Sequence, residues 1–308
     1  MRIDGKASQK LLIVLALVAL YFIWGSTFLA MRIAIDSFPP FMMAALRFVI
    51  AGALLFAYLC WRGAAVPGWR EWLGATAVGG LLLAAGNGAV AYAEQTVSTG
   101  VSALTIATVP LWMALFSACW GQSPNKREWS GIAVGTLGVM ILTMGQSLQA
   151  SPVGALVLML AAASWAFGSV WGKVLPMPAG AMASATQMLG GGFVLVLASL
   201  VAGESWPRQI SQESVAAIVY LIILGSLVAY SAYLYLLKTV RPALATSYAF
   251  INPLVAMWLG VWLAGESIDA TEYLALAVIV VGVLLVLPIK WPGIHLWHSW
   301  RGDKPRDT

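Results

Sequence analysis

Polar and charged positions in this chain punctuate long apolar runs. Ten such runs stand out, at about 11–31, 40–60, 72–94, 98–120, 129–146, 153–172, 180–202, 214–236, 242–264 and 273–290. Each is close to the about 20 residues that a helix needs to cross a hydrocarbon core. The connections between them are short and hold the turn formers and charges, as in Ser37–Pro40, Gly63–Arg70, Gln122–Glu128 and Gly203–Glu213. The pattern predicts an all-α integral membrane protein of ten transmembrane helices with no soluble domain between them. The first run, preceded by Arg2, Lys6 and Lys10, is longer than the apolar stretch of a signal peptide and is read as a retained helix.

Composition agrees. Of 308 residues 9% are charged and 61% are hydrophobic, with a mean hydropathy of +0.87. That much apolar surface does not fit inside one soluble domain, which excludes a soluble enzyme, a disordered chain and a disulfide scaffold. The net charge of +5 comes from basic residues scattered singly, so it is no argument for nucleic acid. Cys60 and Cys119 have no metal or disulfide spacing, and both histidines, His295 and His298, lie near the C-terminus. No metal site, cofactor or hydrolytic centre is expected, and the chain is read as no enzyme.

Lys and Arg set the orientation. With the N-terminus in the cytoplasm, 14 of the 17 fall in inside segments and two, Arg32 and Arg208, in outside ones, with Arg47 inside the second span. Both termini are therefore expected in the cytoplasm of a multi-pass protein of the cell (inner) membrane. The tail at 291–308, with Trp291, Trp297 and Trp300, is placed at the cytoplasmic interface.

The halves repeat. At an offset of 143 residues Gly25-Ser26 matches Gly168-Ser169, Tyr92 matches Tyr235, Thr96-Val97 matches Thr239-Val240, and Pro110-Leu111 matches Pro253-Leu254. With a three-residue slip, Ala51-Gly52 matches Gly191-Gly192. The boundaries are 1–146 for the first repeat and 147–290 for the second. Five spans per half is an odd number, so the second half enters the membrane inverted, an arrangement that lets one site face alternate sides.

Several motifs resemble those of the drug/metabolite transporter superfamily, specifically its ten-helix EamA family. They are Trp24-Gly25-Ser26-Thr27, Ala45-Leu46-Arg47-Phe48 and Ala107-Thr108-Val109-Pro110-Leu111 in the first half. The second half has Ser164-Trp165-Ala166-Phe167-Gly168-Ser169, Pro242-Ala243-Leu244-Ala245-Thr246, and Asn252-Pro253-Leu254 followed by Gly265-Glu266. The resemblance covers nearly the whole chain and looks closest to bacterial inner-membrane exporters of amino acids, including aromatic ones. It implies helices 1–4 and 6–9 around a central cavity with helices 5 and 10 outside. Independently, span ten has no polar side chain from Leu274 to Leu287, and span five carries Gly131, Gly135 and Gly138 at packing spacing.

Polar groups cluster on equivalent faces. Ser98, Ser102, Thr105 and Val109 in span four correspond to Arg241, Ala245, Tyr248 and Asn252 in span nine. Leu83, Asn87, Val90 and Glu94 in span three correspond to Ser226, Tyr230, Tyr233 and Leu237 in span eight. Hydroxyls on such faces also satisfy themselves on their own helix. The larger groups Asn87, Tyr230, Tyr248 and Asn252 are expected in the cavity with Thr105, Trp24 and Trp165. The two tryptophans alternatively act as interfacial anchors. Pro110 and Pro253, read as lying inside spans four and nine, are a paired kink, either a hinge or a static bend. Arg47, with Gln187 as its counterpart, either attracts a substrate carboxylate or pairs with Glu94.

These readings describe a functional monomer exporting zwitterionic or aromatic amino acids or related small metabolites by alternating access. Small four-helix multidrug members of the superfamily depend on a glutamate in their first helix, which is absent here. Facilitated transport, or weak proton coupling through Glu94, is therefore expected. The alternatives are proton-driven export of other metabolites or drugs and, in a different class, a channel.

Overall fold

A computed structural model describes residues 5–97, 102, 105–143, 152–264 and 270–286, and among them there is no strand. Helices overlie all ten apolar runs: α1 (Gln9–Ile35), α2 (Pro40–Trp61), α3 (Trp69–Ala93), α4 (Val109–Cys119), α5 (Lys126–Thr143), α6 (Pro152–Trp171), α7 (Ala181–Val201), α8 (Gln212–Thr239), α9 (Tyr248–Ala264) and α10 (Ala270–Val286). Six of the described helices are long and apolar enough to cross a membrane: the first three, and those ending at Trp171, Val201 and Thr239. Large apolar side chains face outward on them, such as Leu11, Phe22, Leu54, Leu160 and Val201. In water such a girdle would be unstable, and in lipid it is the solvent-matched surface.

Helix ends show the repeat at atomic level. Gly63 and Gly203, 140 residues apart, both take a positive φ (80° and 66°) after α2 and α7. Each closes the same cap, with Ala64 N–H donating to the Leu59 carbonyl and Glu204 N–H to the Ser199 carbonyl, both at 3.0 Å. A left-handed residue is cheapest as glycine, and the bonds satisfy carbonyls orphaned at a helix end.

The packing is exchanged between the halves. α2 lies along α7, and α5 along α10; α3 packs on α6 as α8 packs on α1; α4 packs on α6 as α9 packs on α1. Glycines allow the close approaches. A Cβ on Gly79 of α3 would fall 2.2 Å from the Gln187 carbonyl of α7, and one on Gly282 of α10 would fall 2.5 Å from the Gly135 nitrogen of α5. Such small-residue contacts draw helices together where lipid supplies no hydrophobic drive. The α5–α10 pair stands beside the remaining helices, as span composition led us to expect.

Three helices are locally unwound. Leu20–Trp24 in α1, Gly80–Gly88 in α3 and Leu221–Val228 in α8 are π-helical. The last two fall at overlapping positions of the repeat. π-Helical turns commonly mark functional sites, because they offset a carbonyl from its helical partner. Here the offset is used: the Gly225 and Leu81 carbonyls accept side-chain donors from other helices, the Trp24 indole and the Ser164 hydroxyl.

Candidate functional site

Four aromatic side chains meet in the middle of the bundle. Trp24, at the end of the α1 π-helical turn, has its ring centroid 5.4 Å from that of Trp165, 5.2 Å from Tyr233 and 4.7 Å from Tyr248. The Trp165 and Tyr248 rings meet Trp24 edge-to-face and the Tyr233 ring is tilted against it, and edge-to-face geometry at these distances is favourable for quadrupolar rings. Hydrogen bonds hold the rings in register. Trp24 Nε1 donates to the Gly225 carbonyl at 3.1 Å, Trp165 Nε1 donates to the Tyr233 hydroxyl at 3.0 Å, and that hydroxyl is 2.8 Å from Ser169 Oγ.

Around this cluster lies a chamber of about 60 Å³, lined by Trp24, Thr27, Phe28, Met31, Gly86, Asn87, Val90, Ile106, Val109, Ala161, Trp165, Tyr248 and Asn252. Its walls are apolar and aromatic with few polar groups, the usual make-up of a small-molecule site, although its volume is far below the roughly 300–1,000 Å³ of an occupied pocket. The Asn252 Oδ1 atom is buried with no hydrogen-bond partner. It is an acceptor without a donor in a site built of rings.

A second cleft, of about 710 Å³, opens at the end where the helices are joined by Gly121–Ser123, Gly172–Leu175 and Thr239–Pro242. Lys173, Lys238 and Arg241, the last paired with Glu128, line it, and among the described residues no acidic side chain does. Burial holds the Lys173 ammonium below the usual lysine range. At its inner end the cleft reaches Ser169 and Gln187. These residues bond Tyr233 and Tyr230 respectively, the latter by a 2.5 Å contact from the tyrosine hydroxyl to Gln187 Oε1. The two tyrosines thus stand between the spacious cleft and the aromatic chamber.

The structure brings Trp24, Asn87, Trp165, Tyr248 and Asn252 together around the chamber and places the other candidates elsewhere. Tyr230 is buried against Gln187 and does not line the chamber. Thr105 sits beside the lining residue Ile106 without lining it, and its carbonyl accepts from the Thr108 hydroxyl. Trp24 is no interfacial anchor, being 8% exposed. Pro110 is not in a helix interior; it lies in the first turn of α4, where its missing N–H leaves no bond unmade. Pro253 alone is internal, in α9, so the proline pair is not a symmetric kink. Ser98, Gly265, Glu266 and the tail tryptophans and histidines lie outside the described residues.

Arg47 does not pair with Glu94. Its Nε donates to Ser226 Oγ at 2.8 Å and its Nη1 to Asn87 Oδ1 at 3.4 Å. Both Glu94 carboxylate oxygens are buried and without a hydrogen-bond partner. The Arg47–Asn87 and Gln187–Tyr230 contacts are repeat equivalents, one linking α2 to α3 and the other α7 to α8. Sequence reasoning placed Tyr233 on the polar face yet did not single it out. Its place on the same helical face as Tyr230, equivalent to the face of Asn87, was the available signal.

Comparison with known proteins bears on this arrangement. The pattern of the EamA-like transporter family matches twice, over residues 11–144 and 152–287. The chain is 48% identical over 272 residues to the "Uncharacterized inner membrane transporter YedA" of Escherichia coli (strain K12), covering 88% of this chain and 89% of that one. It is 27% identical over 288 residues to an "Uncharacterized transporter" of Archaeoglobus fulgidus, covering 90% and 97% respectively. A solved crystal structure superposes with a TM-score of 0.72 at 21% identity, over 89% of this chain and 95% of the other, so the fold is shared. The protein is a membrane transporter, and it belongs to the EamA-like transporter family.

Proposed function

We propose that the protein exports amino acids, aromatic and other zwitterionic ones together with related small metabolites, across the cell inner membrane by alternating access. The observation that carries this reading is the central chamber, where Trp24, Trp165 and Tyr248 surround the unpartnered Asn252 carbonyl oxygen. Aromatic walls suit an apolar side chain. An ammonium group on the solute supplies the donor that Asn252 Oδ1 lacks. The chamber is too small to be occupied as it stands, so loading requires the Tyr230–Tyr233 partition to move.

Both termini are read as cytoplasmic, which makes the 710 Å³ cleft with Lys173, Lys238 and Arg241 a cytoplasmic entrance. Its positive rim attracts the carboxylate end of a solute. The exchanged packing of the halves supports alternating access, because the main helix contacts made by one half have counterparts in the other. Transport is read as facilitated, carried by a single chain that does no covalent chemistry and uses no cofactor.

Uptake of a labelled amino-acid panel into proteoliposomes tests this, with empty liposomes as control and no imposed pH gradient. Saturable uptake of aromatic and aliphatic members is expected. Absence of uptake from folded, inserted protein overturns the amino-acid reading. Uptake that appears only with a pH gradient overturns the facilitated mechanism, and single-channel currents overturn the carrier class.

A further inference from the structure

Arg47 is a cation without an anion. It is 2% exposed, and among the described residues the only salt bridge joins Arg241 to Glu128. Its bonds go to the neutral Ser226 and Asn87 oxygens. Gly225 leaves room for it, since a Cβ there would fall 2.8 Å from Nη2. Glu94, 4% exposed, has no hydrogen-bond partner at its carboxylate, and the charge of Arg32 is its electrostatic counterpart. The nearby Arg32 donates to the Glu94 main-chain carbonyl, at 3.3 Å, and not to the carboxylate. Burying a charge without an opposite partner is costly, and such a group inside a membrane protein marks a working site.

The repeat indicates what these groups are for. Gln187 and Leu237, the counterparts of Arg47 and Glu94, both line the wide basic cleft. So does Leu175, the counterpart of Arg32. In the first half the corresponding region is shut: Arg32 ties α1 to the end of α3, Ser26 Oγ contacts the Tyr220 hydroxyl of α8 at 2.6 Å, and Arg47 ties α2 to α8. One half is open where its twin is closed.

We infer that exchange of the two half-conformations opens a second cleft at the opposite end, and that Arg47 is the carboxylate-binding group of that cleft. This rests on the alternating-access reading above. In the closed state Asn87 Oδ1 occupies the place of a carboxylate oxygen against the guanidinium. On opening, the carboxylate of the solute replaces it, and a planar fork of donors binds two oxygens together. Opening also hydrates Glu94 at the rim. The two clefts therefore differ in chemistry: one end recognises the carboxylate through a buried Arg47, whereas its twin offers the neutral Gln187.

The test uses the full chain with Cys60 and Cys119 replaced by serine. Single variants Arg47→Cys and Ala91→Cys are exposed to a membrane-impermeant thiol reagent on intact cells. Ala91 is buried and is the counterpart of the cleft residue Leu234. Gln209→Cys, at an exposed position near the start of α8, is the labelling control. Labelling of both buried positions from outside is expected. If neither is labelled on cells where Gln209→Cys is, and the Ala91→Cys protein still takes up phenylalanine, the second cleft is overturned. The carboxylate role is read separately, by competing external phenylalanine or phenylethylamine against labelled phenylalanine. The wild type is expected to prefer phenylalanine, and Arg47→Gln to lose at least about tenfold of that preference, since bonds to charged groups carry this much discrimination. Arg47→Lys is expected to keep part of it. An unchanged preference in Arg47→Gln overturns the role of Arg47. If the buried positions are labelled but the wild type takes up no phenylalanine, the amino-acid reading falls while the second cleft stands.

Discussion

Trp24 joins two different supports that substitution separates. Trp24→Phe keeps a ring among Trp165, Tyr233 and Tyr248 but deletes the 3.1 Å bond to the Gly225 carbonyl. One hydrogen bond between membrane helices is worth about 0.6–1 kcal/mol. The freed carbonyl lies in a π-helical stretch of α8, where no regular backbone donor replaces the indole. Trp24→Ala removes the bond, three ring pairs worth about 0.5–1.5 kcal/mol each, and the side-chain volume beside the 60 Å³ chamber. The total expected loss is about 3–5 kcal/mol. Heating each variant in detergent and following the monodisperse peak by size-exclusion chromatography reads the order of loss. Trp24→Phe is expected close to wild type and Trp24→Ala well below it. Equal loss in the two variants would refute the cluster as a packed unit and leave the single hydrogen bond as the support.

Other outcomes follow from the same geometry. Gly282→Leu, placed against the Gly135 backbone, is expected to cost about 1–3 kcal/mol or more by overpacking, seen as a lower fraction of monodisperse protein in detergent. A double-mutant cycle of Gln187→Leu and Tyr230→Phe is expected to show coupling of about 0.6–1.7 kcal/mol, and additive losses would remove the bond from the account. Thr105→Val is expected to leave transport near wild type, whereas Asn252→Leu, inside the chamber, is expected to raise the KM for zwitterionic solutes severalfold in proteoliposome uptake. Burial raises the Glu128 carboxyl, but donation from Arg241 and the Asn125 backbone outweighs it and holds the group below the usual carboxylate range. A depressed acid stabilises above its unfolded pKa and loses that contribution as pH falls through the lower folded value. The acid limb of the thermal-stability profile is therefore expected to flatten in Glu128→Gln, and an unchanged limb would rule the pair out as its source.

The long apolar runs determined much of this protein by themselves. A backbone in hydrocarbon must satisfy its own hydrogen bonds, so length and apolarity alone dictate helices at those ten places. Glycine and proline punctuation at Gly63, Gly203 and Pro40 marked helix ends, because φ preferences are local. The repeat offset was legible for the same reason: equivalent helices have equivalent tasks. Of the residues it grouped, Asn87, Tyr248 and Asn252 line one chamber with the two tryptophans, and Tyr230 and Thr105 do not.

Tertiary structure decided what depends on a neighbour. Whether a tyrosine on a polar face lines space or fills it turns on what stands opposite, and Gln187 claims Tyr230 while Ser169 and Trp165 claim Tyr233. Periodicity is blind to π-helical turns, which arise where bundle contacts draw a carbonyl out of the ladder to meet a side chain of another helix. Pairing of Arg47 with Glu94 was reasonable from charge alone, but the guanidinium turned instead to Ser226 of α8, a partner 179 residues away. The asymmetry between an open end and a closed one is likewise invisible in a sequence whose halves are alike. It is set by contacts between residues far apart in the chain, and only the positions of the helices record it.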